Sequence, residues 1–358
     1  MLELLPSQFP LVRPFFDPYV DHFTCAYAVL GGNSPGQVWV DDLDHPQVGL
    51  INAWEGFHLF GDPACQASYP GLRAALPPTA YLLCQPAAWA EVRSQFWNDS
   101  MARIHPRCHY RWRGPQWSAW RSALPPEYEF VAIHAEGRDI PALMEHHEVT
   151  DRLNGWFTPE ACFNEAVGYA FLHQGKVVTV CMSDCTLGER IEIGIWTASA
   201  HRRRGLAAMA AAATVEACLG KGYTHIGWQC LANNIGSRSV ARKVGFELDC
   251  ECIALSSSLP TENPGDLSPA ECQDWALHYE SAPPEDTRSC YRAAATRALA
   301  GQPELALQHL RRLLSLPWGG SPDWFDEDFR FDSLRQLSEF QDLVAQFRSV
   351  FRNNVNLG

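Results

Sequence analysis

Hydrophobic and polar positions are most regularly ordered in the middle of the chain. From Gly168 to Cys181 the run GYAFLHQGKVVTVC holds two β-rich stretches around His173-Gln174-Gly175-Lys176. This pattern predicts an antiparallel hairpin in which Gly175 supplies a positive φ. A third strand is expected at Arg190–Thr197. The period then changes: after TASAHRRR, the run GLAAMAAAATVEACLGKG is dense in strong helix formers, with Gly220 and Gly222 as C-terminal stops. THIGWQC, Thr224–Cys230, reads as another strand with Ile226 and Trp228 on one face. Asn234 is a suitable cap for a helix running to Gly245, and Phe246–Leu255 alternates well enough for a closing strand.

The flanks carry weaker patterns. Between Phe23 and Asp62, short β-rich runs separated by Gly, Pro, Asn and Asp predict a meander of antiparallel strands. Beyond Leu255, SSSLPTENPGDLSP has the composition of a connector. It is followed by two predicted helices divided by Gly301 and Pro303. Phe340, Leu343, Val344 and Phe347 then recur at helical spacing and are expected to cover that helical hairpin.

Composition sets the outer bounds. With 358 residues, 46% hydrophobic and 19% charged, the chain is globular and long enough for two or three cores. No apolar run approaches the ~20 residues of a membrane span. Pro6, Pro10 and Pro14 interrupt the N-terminal stretch where a secretory signal would be continuous, so a cytoplasmic location is expected, with no membrane partner. The thirteen cysteines are odd in number and contain no Cys-x-x-Cys, which favours free buried thiols. A net charge of −13 disfavours nucleic acid and is compatible with a cationic substrate. Asp41, Asp42 and Asp44 sit beside Pro46 without further ligand spacing and read as an acidic turn; no metal is expected.

Arg202-Arg203-Arg204-Gly205-Leu206-Ala207 ends a predicted strand and opens a predicted helix. The first amides of such a helix have no internal partners and form an anion site, which a glycine lets a pyrophosphate approach closely. Arg202-x-x-Gly205-x-Ala207 resembles the Arg/Gln-x-x-Gly-x-Gly/Ala signature of the GNAT acetyltransferases. Asn234-x-x-Ser237-x-x-x-Ala241-x-Lys243-Val244-Gly245-Phe246 is similar to their second landmark. The wider block, together with VWVDDLDHPQVGLI near the N-terminus, resembles the zwittermicin-resistance-like group of that superfamily.

The resemblance implies an α/β (α+β) fold: a GNAT mixed sheet with flanking helices at 129–256, a degenerate GNAT-like lobe at 1–128, and a linker with a tetratricopeptide-like helical tail at 257–358. It implies acetyl-CoA as cosubstrate and a small amine as acceptor. The pantetheine arm is expected on the backbone of Ile195, Trp196 and Thr197. The pyrophosphate is expected on the amides from Arg203 through Gly205, Leu206 and Ala207 to Ala208, with Arg202 and Arg204 adding positive potential. Asn234, Ser237 and Lys243 are the further expected CoA contacts. Attack on a thioester needs an unprotonated amine, and Glu192 is the candidate base, with Asp184 and Glu165 in reserve. The position where a tyrosine often protonates the departing thiolate is Ala241, which leaves the general acid unassigned. The competing reading is a GNAT-derived module without catalysis, and the C-terminal helices are the candidate surface for a protein partner or a second copy.

Overall fold

The computed structural model describes residues 1–355 apart from 20–21, 78–79, 98–101, 116, 134–138, 257, 260 and 262–264; the last five lie in the expected connector. Two compact units result, 1–257 and 258–358. Among the described residues the first holds strands β1 (Leu2–Glu3), β2 (Gln37–Val40), β3 (Val48–Ala53), β4 (Gly56–Gly61), β5 (Leu82–Gln85), β6 (Arg103–Trp112), β7 (Glu129–Ala132), β8 (Gly168–His173), β9 (Lys176–Leu187), β10 (Arg190–Thr197), β11 (His225–Leu231) and β12 (Phe246–Ser256). They form one mixed sheet in the order β1-β2-β3-β4-β5-β12-β6-β11-β10-β9-β8-β7.

Nine helices accompany these strands in the described part of this unit: α1 (Phe9–Phe16), α2 (Thr24–Leu30), α3 (Tyr69–Ala75), α4 (Trp89–Phe96), α5 (Pro141–Met144), α6 (His147–Leu153), α7 (Pro159–Glu165), α8 (Leu206–Gly220) and α9 (Ile235–Lys243). The succession β2-β3-β4-α3-β5-α4-β6 is repeated by β8-β9-β10-α8-β11-α9-β12, with a parallel pair, β4–β5 and β10–β11, at the same place in each. The last strands are exchanged: β12 pairs with β5, β6 pairs with β11, and the two pair with each other.

The central hairpin turns with positive φ at both Gln174 and Gly175, as two-residue turns with the native twist require. The N-terminal expectation differs at Thr24–Leu30, where TCAYAVL forms α2 rather than a strand. Every residue of α2 is buried, against β9, β3 and β10. A helix covered on all sides has no polar face, so its sequence cannot be told from that of a buried strand.

Asp41 turns the chain between β2 and β3. Its Oδ1 accepts from the amides of Asp42, Gln47 and Val48, and its Oδ2 accepts from the Ser68 hydroxyl at 2.9 Å. Burial pushes the carboxyl up, but the amides of Val48 and Gln47 outweigh it and hold the group below its usual range. Asp41→Ala is expected to cost about 1–3 kcal/mol, by leaving those donors unmatched. Because the folded carboxyl is the stronger acid, its contribution is present above the unfolded pKa and lost as pH falls through the folded one. Urea titrations at neutral and acid pH check this: the difference between wild type and variant should shrink in acid.

The second unit contains α10 (Pro269–Glu280), α11 (Thr287–Leu299), α12 (Pro303–Leu314), α13 (Trp324–Glu327) and α14 (Ser338–Val355). Phe340, Leu343, Val344 and Phe347 of α14 join the core of the α11–α12 hairpin, as their spacing anticipated. Helix α10 was not anticipated. Its start is a capping box in which Ser268 and Glu271 satisfy each other's backbone amides, a signal legible in Ser-Pro-Ala-Glu. Arg297 fastens α11 to α10 through two 2.7 Å bonds to Glu280, which also meets His309 of α12 at 2.8 Å. All thirteen cysteines of the chain are free, and only Cys65 and Cys250 are not fully buried.

Candidate active site

The β10–β11 ladder is short. Arg190, Ile191 and Glu192 pair with His225, Ile226 and Gly227, and the parallel pairing ends there. Beyond this point β10 continues against β9 as far as Thr197, while β11 turns to β6. The backbones of Ile195, Trp196 and Thr197 therefore border a slit between diverging strands. The corresponding pair in the N-terminal repeat, β4–β5, stays registered from Phe57–Leu82 to Phe60–Gln85 and leaves no such opening.

At the far end of β10 a short turn, Ser199–His201, leads to the arginines. Arg202 folds back, its Nε donating to the Thr197 carbonyl at 3.1 Å. Arg203 holds a left-handed φ of 65°, and Gly205 one of 83° as the N-cap of α8. A non-glycine residue in that region costs energy and is commonly retained where a loop must present its amides. Helix α8 has no side-chain cap, so the first-turn amides of Leu206, Ala207 and Ala208 are not closed by one. A Cβ at Gly205 would meet only Met209 Cε, at 3.9 Å, which leaves its approach open. Arg202, Arg203 and Arg204 are exposed around it.

The other expected contacts have local duties. The Asn234 side chain accepts from the Ser237 amide at 2.9 Å and caps α9. The Ser237 hydroxyl accepts from Trp228 Nε1 at 3.0 Å. Lys243 is exposed and lies over the Trp117 ring at 4.6 Å. Ala241 is fully buried in the core between α8, α9 and the sheet.

The two faces of the sheet around the slit differ sharply. Ile191, Ile226, Trp228, Cys108 and Tyr110 pack against α8 and α9. The opposite face carries Glu192 on β10, Gln229 on β11, and Arg107 and His109 on β6. Glu192 is only 5% exposed. Burial first, then the neighbouring charges of Glu55 and Asp184, push its carboxyl well above the usual range, while Gln229 and Arg107 act in the opposite direction. Asp184 is raised to about 6: burial pushes it up against the pull of Arg152, whose Nε donates to it at 2.8 Å. Gly194 leaves room for this pair, since a Cβ there would lie 2.7 Å from the Arg152 guanidinium. Glu165 ends α7 in an exposed position.

Sequence reasoning passed over several groups of this interior. Burial, with repulsion from Arg107 beside it, lowers His109 to about 3, so it is neutral; its Nε2 lies 2.9 Å from Cys252 Sγ. His58 Nε2 lies 3.1 Å from Glu55 Oε1. His146 and His147 meet the Trp196 ring edge-on, with ring centroids 4.8 and 5.7 Å away. One signal was present: in RIHPRCHYRW the residues Arg103, His105, Arg107, His109 and Arg111 alternate, placing a basic row on one face of β6.

A mixed sheet with a diverging parallel pair, beside a helix that starts on a left-handed glycine without a side-chain cap, defines an α/β protein with an opened strand next to a helix start. A family model described as GNAT acetyltransferase matches residues 14–255. The chain belongs to this family of N-acetyltransferases. An uncharacterized N-acetyltransferase of Bacillus subtilis (strain 168), YdfB, is 23% identical over 254 residues, covering 68% of this chain and 94% of its own. The crystal structure of a GCN5-related N-acetyltransferase-like protein from Streptococcus suis superposes with a TM-score of 0.58 at 24% identity, over 70% of this chain and 98% of that one. No helix among the described residues is long and apolar enough to cross a membrane.

Proposed function

We propose that the protein transfers the acetyl group of acetyl-CoA to the amine of a small acceptor by direct attack. The observation that supports this most is the early end of the β10–β11 ladder at Glu192–Gly227, with β10 continuing to Thr197. Acetyl-CoA supplies the activated thioester. The backbone of Ile195, Trp196 and Thr197 holds the pantetheine arm, and the amides from Arg203 to Ala208, with Arg202 and Arg204 around them, hold the pyrophosphate. Asn234, Ser237 and Lys243 complete the CoA side. Glu192 takes the proton of the attacking amine, directly or through water. Because Ala241 offers no proton, solvent protonates the leaving thiolate.

We divide the chain into a GNAT-like lobe without a CoA slit at 1–128, the catalytic domain at 129–256, and a helical region at 257–358. Within the family we place it nearest the zwittermicin-resistance-like group. Its compartment in this reading is the cytoplasm, and the tetratricopeptide-like hairpin α11–α12 is the surface for a protein partner or a second copy.

Acetyl-CoA at ~100 times its dissociation constant is expected to stabilise the fold by ~2.7 kcal/mol. Thermal unfolding with and without the ligand checks this. An unchanged transition would remove the CoA assignment.

A further inference from the structure

We infer that the acceptor is an amino carboxylate, with Arg107 as the group that selects for its carboxylate. This inference rests on the acetyl-transfer reading and adds the acceptor's chemical class. Arg107 stands on β6, on the same face as Glu192 and Gln229. Its Nη1 donates to the Tyr81 hydroxyl at 2.5 Å and its Nη2 to Gln229 Oε1 at 3.2 Å. Gln229 lies two residues along β11 from Gly227, the register partner of Glu192, so one amide, its Nε2 sealed and without an acceptor, stands between the guanidinium and the candidate base.

The donors of this guanidinium are not spent. Its Nε is sealed from solvent and has no acceptor, and among the described residues no carboxylate lies within 4.0 Å of it. Glu55 acts on Arg107 as a neighbouring charge without bonding it, and its Oε1 lies 3.1 Å from His58 Nε2. A second sealed donor without an acceptor, Trp54 Nε1, sits on the β3–β4 turn beside Glu55, and its ring borders Gly155 next to the Asp184 carbonyl. Buried donors of this kind call for an oxygen acceptor, and a guanidinium whose hydrogen bonds go only to neutral partners has room for an anionic one. Neutral His109 adds no competing positive charge. An acceptor carrying both an amine for Glu192 and a carboxylate for Arg107 satisfies both ends of this interior, whereas a plain amine leaves the donors unmatched.

The test is a thiol-release assay with acetyl-CoA and the common amino acids, each paired with the corresponding amine lacking the carboxylate. Wild type is expected to acetylate at least one amino acid and to prefer it over its decarboxylated partner. Arg107→Met should raise KM for that amino acid about 10- to 100-fold, a larger loss than it causes with the amine, while KM for acetyl-CoA stays unchanged. Trp54→Phe, a milder change should Arg107→Met fail to fold, should raise KM in the same selective way by a smaller factor. Equal kcat/KM for amino acid and amine, or equal losses with both in the variants, would overturn the inference. So would the absence of any amino acid turnover by a protein that acetyl-CoA still stabilises. An absent acetyl-CoA effect points instead to failure of the acetyl-transfer reading.

Discussion

Glu192→Gln is expected to lower kcat by about 10²–10⁴-fold, the usual worth of a positioned base, while acetyl-CoA binding is retained. Shape and burial are preserved, so the loss falls on proton transfer. The pH dependence carries the sharper signature. Burial and the charges of Glu55 and Asp184 raise the carboxyl, so in the wild type the ionised base is populated only on the alkaline side of the ordinary glutamate range. The rate should therefore climb with pH through that raised pKa, and the glutamine variant should lose this limb. Stability changes the other way. A group that is a weaker acid when folded binds more protons in the native state, so its contribution is present below the unfolded pKa and lost as pH rises through the folded one. Glu192→Gln removes that loss, and its melting temperature should rise relative to wild type as the buffer becomes alkaline. Parallel rate and melting series from acid to alkaline pH measure both effects. A variant with the wild-type rate and profile takes Glu192 out of the mechanism.

Gly205→Val should abolish the acetyl-CoA effect on thermal stability. At φ 83° a β-branched residue is strained, which costs on the order of 1–3 kcal/mol. The site tolerates the added atoms as far as packing is concerned, since only Met209 Cε comes within 4 Å of a Cβ there. The penalty is thus in the backbone, and its relief is a rotation that turns the first amides of α8 away from a shared anion. Gly205→Ala is the graded control: the same φ is disfavoured less severely, and binding should weaken without vanishing. Calorimetric titration of acetyl-CoA against all three proteins orders them. Undiminished binding to the valine variant would place the pyrophosphate elsewhere.

The segment from Gly168 to Phe246 was readable because its determinants are local. The hairpin at Gln174-Gly175, the change of period at Gly205 and the cap at Asn234 each depend on sterics or hydrogen bonds within a few residues. Strand β10 and the start of α8 fall where the pattern put them, and α9 ends two residues before the expected Gly245. The row of basic residues in Arg103–Arg111 was equally local but was not used, since alternation alone does not say which face a strand presents or to what.

Other features needed the assembled chain. Helix α2 lost its helical signature because all its sides are covered. The exchange of β6 and β12 joins residues well over a hundred positions apart, and no neighbouring residue encodes it. That exchange is what carries Arg107 and His109 to the face of Glu192. By itself the sequence determined the order of elements around the start of α8, through turn sterics, propensity and capping. The tertiary structure decided the chemistry opposite it, because desolvation and the approach of Glu55, Asp184 and Arg107 arise only when strands distant in the chain share one sheet.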